Sequence, residues 1–525
     1  MITGKLKVRR PAIHMIGLVL IAVFLMLALN SWNAKSCFIP DELFYYKSSQ
    51  TLVNPENIFA PKYYDEPRFQ KPPIFYIAIF FAMKVFGINW FSTRLITILS
   101  SIAVLIVTYM LGLKMFDAKK ALFAVVMLAT STLFFRYGRM AVPEMLFVLC
   151  ITGAFYFSYR YFTENVGRYF YIAFLLMGIG ILVKGPIAIS LPTIAMFVFY
   201  RVYKPSRSTP FIWWVYGVCI ALGLSLSWFI PTIILHGHYF IGHIMQAEIS
   251  DRFTAGTSNA AFNEAAWFYL QKLLFYFPVA VAEFLPWSVV VPAAFVFSKE
   301  SIEMKKNNVG RLFLLIWAAT GFITFTLVPA KRAHYVLSFF PAISLYLASF
   351  FDFEKKHIKD IFISVAFVTA CVYIFAVLVV FPTLLIDGID RLSMKLKDLS
   401  SASAEQVGVS WNLGPQKVEL YLDKRTHVMP EHEFTEKEFP GLNVSWILVA
   451  EKEYSKYLLP AMLATNKISR DFPVITVIAE DWRWRKIIPF KKCIFDIKRN
   501  PANTVSCLKD TFQEKVYLIK VMRRA

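Results

Sequence analysis

The stretch KKHIKDIFISVAFVTACVYIFAVLVVFP, residues 355–382, sets the class of this chain. Three lysines, Lys355, Lys356 and Lys359, lead into a run from Ile361 to Pro382 that holds no charged residue. At about 1.5 Å per residue, a helix of that length crosses the roughly 30 Å of a bilayer's hydrocarbon. No water is available there to pair with backbone N–H and C=O groups, so the run has to be helical. Comparable runs of about 15–25 residues recur back to His14. The composition agrees, with 57% hydrophobic and only 17% charged residues and a mean hydropathy of +0.53, far from a soluble globular balance. No small-residue cleavage site follows the first run, Ile13 to Leu29, which reads as a first transmembrane helix and not as a removed signal.

Runs at about 13–30, 95–113, 121–135, 145–159, 169–183, 186–200, 211–235, 273–298, 312–330, 335–352 and 360–382 give about 11 crossings, within a range of 10–13. Lys5, Lys7, Arg9 and Arg10 precede the first run. Every second connection is then basic: Lys114/Lys119/Lys120, Arg160/Arg168, Arg201/Lys204/Arg207, Lys299/Lys305/Lys306/Arg311 and Lys355/Lys356/Lys359. Basic loops stay in the cytoplasm, which places the N-terminus inside and the opposite connections outside. The apolar segment Ile74–Gly87 breaks this alternation if it is counted as a crossing, and at about 14 residues it suits an interfacial or re-entrant helix.

The expected fold is therefore a mainly α, polytopic membrane helical bundle over residues 1–383, with outer loops at 31–91 and 236–272. An odd number of crossings sends residues 384–525 outside as a small soluble α/β domain, on the periplasmic side in a bacterial inner membrane. Its β-prone runs are Val418–Leu422, Ser445–Ala450, Pro473–Ile478, Lys486–Pro489 and Val516–Val521.

The formal charge of +21 is dispersed in short loops and forms no stripe, which points to anionic lipid as a partner and away from nucleic acid. Cys150, Cys219 and Cys371 lie within apolar runs and read as buried thiols. Cys37, Cys493 and Cys507 lie outside them, and on an oxidising face the last two either pair or stay as two thiols.

Ionisable groups beside hydrocarbon are costly unless they pair or line a wet cavity, so they mark candidate sites. Five places on the outer side qualify. Ile39-Pro40-Asp41-Glu42 follows the first run, where two acids suit either a helix start or a functional role. Arg68-Phe69-Gln70-Lys71-Pro72-Pro73 enters the interfacial helix, its lysine either a headgroup anchor or a phosphate ligand. Arg136-Tyr137-Gly138-Arg139 and Pro143-Glu144 place bases and an acid at one interface, as a salt bridge or as a site. Val183-Lys184-Gly185-Pro186 is a tight reversal whose lysine either snorkels or binds. Pro329-Ala330-Lys331-Arg332-Ala333-His334-Tyr335 packs cationic groups on a side where positive loops are disfavoured, and an anionic headgroup gives them a reason.

In this order, Pro40-Asp41-Glu42, Lys71-Pro72-Pro73, Glu144, Lys184-Gly185-Pro186, Phe284-Leu285-Pro286-Trp287, then Lys331-Arg332, Tyr335 and Phe340-Pro341-Ala342, the chain resembles the bacterial transferases that place 4-amino-4-deoxy-L-arabinose on lipid A. These belong to the protein O-mannosyltransferase-like branch of the GT-C glycosyltransferases. The resemblance implies a GT-C bundle whose active site faces outward and takes sugar from a polyprenyl-phosphate carrier with inversion, to a lipid A-type or other glycan or protein acceptor. It assigns Asp41 and Glu144 as catalytic acids, Glu144 standing where the family usually has aspartate. It places Glu42, Lys71, Arg139, Lys184, Lys331, Arg332, His334 and Tyr335 at the substrate. Some relatives hold zinc with a glutamate before the first-loop lysine and a histidine in the second loop. This chain has Gln70 at the first position and no histidine in Phe262-Asn263-Glu264-Ala265-Ala266-Trp267, so no metal and no other cofactor is expected.

The chemistry needs a leaving phosphate that is charge-compensated, for which Lys71, Lys331, Arg332 and His334 are candidates. It also needs a group for the acceptor proton, for which Asp41 is the candidate. A transporter is the competing class, but it would show internal repeats and midplane charges, and neither is seen. The topology has a direct check. Reporter fusions after Phe116, Pro205 and His357 are expected to report cytoplasm, and those near Ala255 and Ala525 the outer compartment; an outside signal at Phe116 would mean that Ile74–Gly87 crosses.

Overall fold

The computed structural model describes residues 10–29, 40–205, 208–244, 274–297, 309–328, 331–380, 388–398, 407–410, 419, 426–429, 446–450, 474–484 and 513–522. The chain divides into two compact units, Met1–Asn33 with Tyr45–Phe375 and Ala34–Phe44 with Ala376–Ala525. The first unit is helical and is a multi-pass membrane bundle. Its helices are α1 (Arg10–Ala28), the later part of α2 (Pro40–Gln50), α3 (Ile74–Phe86), α4 (Trp90–Met115), α5 (Ala118–Ala129), α6 (Thr132–Tyr137), α7 (Glu144–Glu164) and α8 (Gly167–Lys184). They continue with α9 (Ile187–Tyr203), α10 (Phe211–His243), α11 (Tyr276–Glu283), α12 (Trp287–Phe297), α13 (Val309–Leu327), α14 (Phe340–Ala348) and α15 (Lys356–Phe375). A 3₁₀ turn, Ala333–Phe339, leads into α14.

Local sequence sets several boundaries. Asn89 and Ser92 cap α4 reciprocally, the Asn89 side chain accepting from Ser92 N at 2.9 Å and Ser92 Oγ from Asn89 N at 3.3 Å. Asp117 accepts from the Lys119 and Lys120 amides at 3.0 and 2.9 Å to start α5. Asn165, at φ 55°, ends α7 in the left-handed conformation that asparagine tolerates. Only Asn165 and Val166 separate α7 from α8, so the two run antiparallel, and the start of α7 lies beside the end of α8. Gly185, at φ +106°, then reverses the chain into Pro186 and α9, as the Lys184-Gly185-Pro186 signal requires.

Helix α7 is the central member. Of its most apolar window 78% is buried, against 22% for α10 and 11% for the span that contains α15. It packs on α4, α8 and α9, and Phe155 stacks on Trp317 of α13 with ring centroids 4.1 Å apart. Lipid tails are as apolar as leucine, so dispersion between close surfaces holds such helices together. Cys150 is buried, but Cys219 and Cys371 are exposed on α10 and α15. The expectation of three buried thiols is corrected in those two cases, because the surrounding lipid supplies an apolar setting without protein packing.

Among the described residues six helices are long and apolar enough to cross a membrane, or seven if the bent pair Tyr276–Glu283 and Trp287–Ala293 is one span, and three shorter apolar ones are Ile74–Phe86, Ile187–Tyr203 and Ala333–Ala348. Two expected crossings are broken. The run at 121–135 splits into α5 and α6 where Thr130 and Ser131 hydroxyls donate back to the carbonyls of Val126 and Leu128. The run at 273–298 bends by 86° between α11 and α12, at Pro286, which has no N–H to continue a helix. The outer loop expected from residue 236 begins later, since α10 extends to His243 past a break at Gly237. Residues 245–273 lie outside the described residues.

The first unit also holds a short antiparallel pair, β1 (Lys62–Tyr63) and β2 (Glu66–Pro67), and the second unit carries a five-stranded sheet: β3 (Val407–Ser410), β4 (His427–Met429), β5 (Trp446–Ala450), β6 (Val474–Trp484) and β7 (Gln513–Met522), in the order β4-β3-β5-β7-β6. β3 runs parallel to β4 and β5, while β7 is antiparallel to β5 and β6. Helix α16 (Gly388–Asp398) packs on β6 and β7. Of the expected strand 418–422 only Glu419 is described, and it is helical. Lys486–Pro489, Cys37, Cys493 and Cys507 lie outside the described residues.

Close approach in the bundle depends on small residues. A Cβ on Gly112 would stand 2.7 Å from Ala121 Cβ, 2.9 Å from Ala121 Cα and 2.8 Å from Leu345 Cδ2, whereas one on Gly223 would meet nothing within 4 Å. Gly112→Ala is expected to destabilise the bundle by about 1–3 kcal/mol, and Gly223→Ala to be neutral or slightly stabilising, as read from thermal unfolding in detergent.

Candidate active site

The antiparallel pair α7 and α8 builds the centre of the site. Glu144 is the first residue of α7, where the helix dipole favours an anion, and Lys184 is the last of α8, where it favours a cation. Lys184 Nζ lies 3.1 Å from Glu144 Oε1, with each side chain only 10% exposed. The ammonium also lies over the rings of Phe147 at 5.3 Å and Tyr335 at 5.4 Å. Phe147 follows Glu144 by one turn and so shares its face of α7.

The turn before α14 adds His334. Its Nε2 is 3.5 Å from Glu144 Oε1, a long electrostatic contact, and its Nδ1 is 3.1 Å from the Tyr137 hydroxyl at the end of α6. Burial pushes the His334 pKa down to about 3; Lys184, Arg332 and Lys71 push the same way, and Glu144 opposes them. Within this cluster the imidazole is therefore neutral and meets its neighbours as a hydrogen-bonding group. With the tyrosine hydroxyl donating to Nδ1, the remaining ring proton is assigned to Nε2, facing the carboxylate. Glu144 Oε2 is buried without a hydrogen-bond partner among the described residues.

The cations that act on His334 come from three separate stretches: Lys71 before α3, Lys184 at the end of α8, and Arg332 in the 331–335 turn. With Glu144 and Tyr335 they are brought together at one end of the bundle. Arg332 is exposed, and its backbone N–H donates to the Tyr276 hydroxyl at 3.2 Å. Two other expected substrate ligands make contacts at helix ends. The Lys331 ammonium donates to the carbonyls of Phe325, at 3.2 Å, and Thr326 at the end of α13, over the Tyr276 ring. Arg139, 2% exposed, donates to Leu29 O at 3.1 Å beyond α1, over the Phe135 ring. Arg136 pairs with Glu283 at 2.7 Å.

Asp41 and Glu42 belong to the second unit, in the first turn of α2, where Asp41 is exposed and Glu42 is buried. Among the described residues no group of three His, Cys, Asp or Glu side chains is placed to hold a metal. Tyr137, Phe147 and Tyr276 were not singled out by sequence reasoning. Tyr137 is flanked by Arg136-x-x-Arg139 and Phe147 is set by its spacing from Glu144, but nothing local marks Tyr276.

Residues 70–229 match the dolichyl-phosphate-mannose-protein mannosyltransferase family, a stretch that holds Lys71, Glu144 and Lys184. A crystal structure of ArnT from Cupriavidus metallidurans bound to undecaprenyl phosphate superposes with a TM-score of 0.64 at 15% identity, covering 95% of this chain and 97% of that one. The chain has the GT-C fold. The GT-C oligosaccharyltransferase of Archaeoglobus fulgidus is a more distant match, with a TM-score of 0.53 at 14% identity over 84% of this chain and 69% of that one. Among curated relatives, an uncharacterized protein of Aquifex aeolicus is 26% identical over 66% of this chain and 65% of its own length. The undecaprenyl phosphate-alpha-4-amino-4-deoxy-L-arabinose arabinosyl transferase of Photorhabdus laumondii is 24% identical over 64% and 59%. The chain thus spans less than two thirds of the length of these relatives.

In this GT-C bundle the Glu144–Lys184 pair is buried, so losing one partner strands the other. Lys184→Met is expected to cost about 3–5 kcal/mol, and the double change Lys184→Met with Glu144→Gln to recover much of it; unfolding midpoints of the purified variants read the cycle.

Proposed function

We propose that this chain is an inner-membrane glycosyltransferase that moves a sugar from a polyprenyl phosphate to a lipid A-type or other envelope acceptor. The N-terminus is cytoplasmic, the reaction takes place on the periplasmic face, and the anomeric centre inverts. The observation that carries the reading is the cluster of Lys71, Lys184 and Arg332 around the buried Glu144 and neutral His334. Lysine and arginine side chains drawn from three stretches suit an anionic group, and their place at the end of apolar helices suits an anion carried on a lipid. The names of the curated relatives support the same carrier and, for them, an aminoarabinose.

In the reaction the bond from the anomeric carbon to the phosphate oxygen breaks and a bond to the acceptor oxygen forms on the opposite face. Charge gathers on the departing phosphate, where Lys71, Lys184 and Arg332 stabilise it. A hydroxyl acceptor passes its proton to Asp41, and a phosphate acceptor needs only orientation by it. Lys331 and Arg139 are assigned to helix ends.

Lys71→Ala is expected to weaken binding of undecaprenyl phosphate by roughly 10- to 150-fold, from about 1.5–3 kcal/mol per charge-assisted contact. Asp41→Asn is expected to leave that binding intact and slow transfer to a hydroxyl acceptor by at least about 100-fold. Native mass spectrometry for the carrier and a transfer assay measure the two. An unchanged carrier affinity returns Lys71 to a headgroup anchor.

A further inference from the structure

Glu144 has two carboxylate oxygens in unlike settings. Oε1 faces Lys184 Nζ at 3.1 Å and His334 Nε2 at 3.5 Å, while Oε2 is buried with no hydrogen-bond partner among the described residues. A buried carboxylate oxygen without a donor is costly, and in a folded protein it calls for an explanation. His334 is fixed in turn by the Tyr137 hydroxyl on Nδ1 at 3.1 Å, which leaves Nε2–H for the glutamate.

We infer that Glu144 Oε2 accepts a hydrogen bond from a hydroxyl or amino group of the carrier-borne sugar, and that Tyr137 and His334 are the positioning residues that hold the carboxylate for it. This rests on the proposed function, because a sugar ester-linked to a phosphate held by Lys71 and Arg332 places its ring next to Glu144. Oε2 is covered, so the sugar enters by displacing a side-chain end. The group placed to give is Lys184, on a flexible stem at the last residue of α8, whose ammonium lies against the other oxygen of the same carboxylate. Its ammonium can follow the phosphate. Glu144 then depends on His334, whose neutral N–H holds the carboxylate without neutralising it.

The test uses the full chain in lipid nanodiscs and three probes: undecaprenyl phosphate, the same carrier bearing glucose, and the carrier bearing 4-amino-4-deoxy-L-arabinose. The variants are His334→Leu, which keeps bulk without a donor, His334→Gln, which restores an N–H, and Tyr137→Phe. Wild type is expected to bind at least one sugar-bearing carrier more tightly than the bare one. His334→Leu should lower that affinity by about 10-fold and leave the bare carrier within about twofold. His334→Gln should recover most of the loss, and Tyr137→Phe should fall between. The sugar whose affinity drops identifies the donor as hydroxyl or amine. Equal weakening of bare and sugar-bearing carrier by His334→Leu, or identical behaviour of Leu and Gln, makes His334 a packing residue and overturns the inference alone. A wild type that binds none of the three probes overturns the proposed function and this inference with it, and Lys71→Ala with the bare carrier reads the former independently.

Discussion

A charge at the edge of hydrocarbon must be met by an opposite charge or by the end of a helix, and the arrangement of this bundle follows from that constraint. Glu144 opens α7 and Lys184 closes α8, so each is favoured by its own helix dipole before they meet. The two-residue link between those helices brings the acid and the lysine to the same end. The same logic places Lys331 on the last carbonyls of α13 and Arg139 on the carbonyl after α1. Cations thus also meet backbone carbonyls at helix ends.

The sequence carried the elements that depend on local backbone chemistry. Lys184-Gly185-Pro186 read as a tight reversal, and Gly185 makes it with a positive φ. Ile74–Gly87 read as too short for an ordinary crossing, and α3 ends at Phe86. What the sequence could not separate were the two uses of a cation. Lys331 and Arg332 are adjacent and look alike as charges, yet the ammonium of one caps a helix while the other is exposed. The choice is made by where α13 ends in space, which hydropathy does not locate to one residue. The neutrality of His334 was equally hidden, since it arises from burial and from lysines that are distant in sequence.

Hydropathy windows also smoothed over the breaks. The segments 121–135 and 273–298 are apolar on average, and a window average registers neither the Thr130 and Ser131 hydroxyls nor Pro286. Both breaks matter to the candidate site. The first creates α6, which delivers Tyr137 to His334. The second is tied to it, because Thr132 N donates to Leu285 O at 3.1 Å and Trp287 Nε1 to Thr130 Oγ1 at 2.9 Å. Two irregular points in the helices thus brace one another beside the buried acid.

The presence of Glu144 amid three cations has a physical reading of its own. A cluster made only of Lys71, Lys184 and Arg332 would repel itself when empty and hold a phosphate too firmly when full. A carboxylate against Lys184 lowers the first cost, since burying an unpaired ammonium is worth several kcal/mol. It also lets the ammonium exchange one anion for another, so that the net gain on binding is the difference between two favourable contacts and not the whole of one. On the proposed reading the product is the carrier phosphate, whose charge exceeds that of the sugar-bearing donor. An exchangeable lysine stabilises the charge as it develops while an internal acid competes for that lysine afterwards, which favours release of the spent carrier.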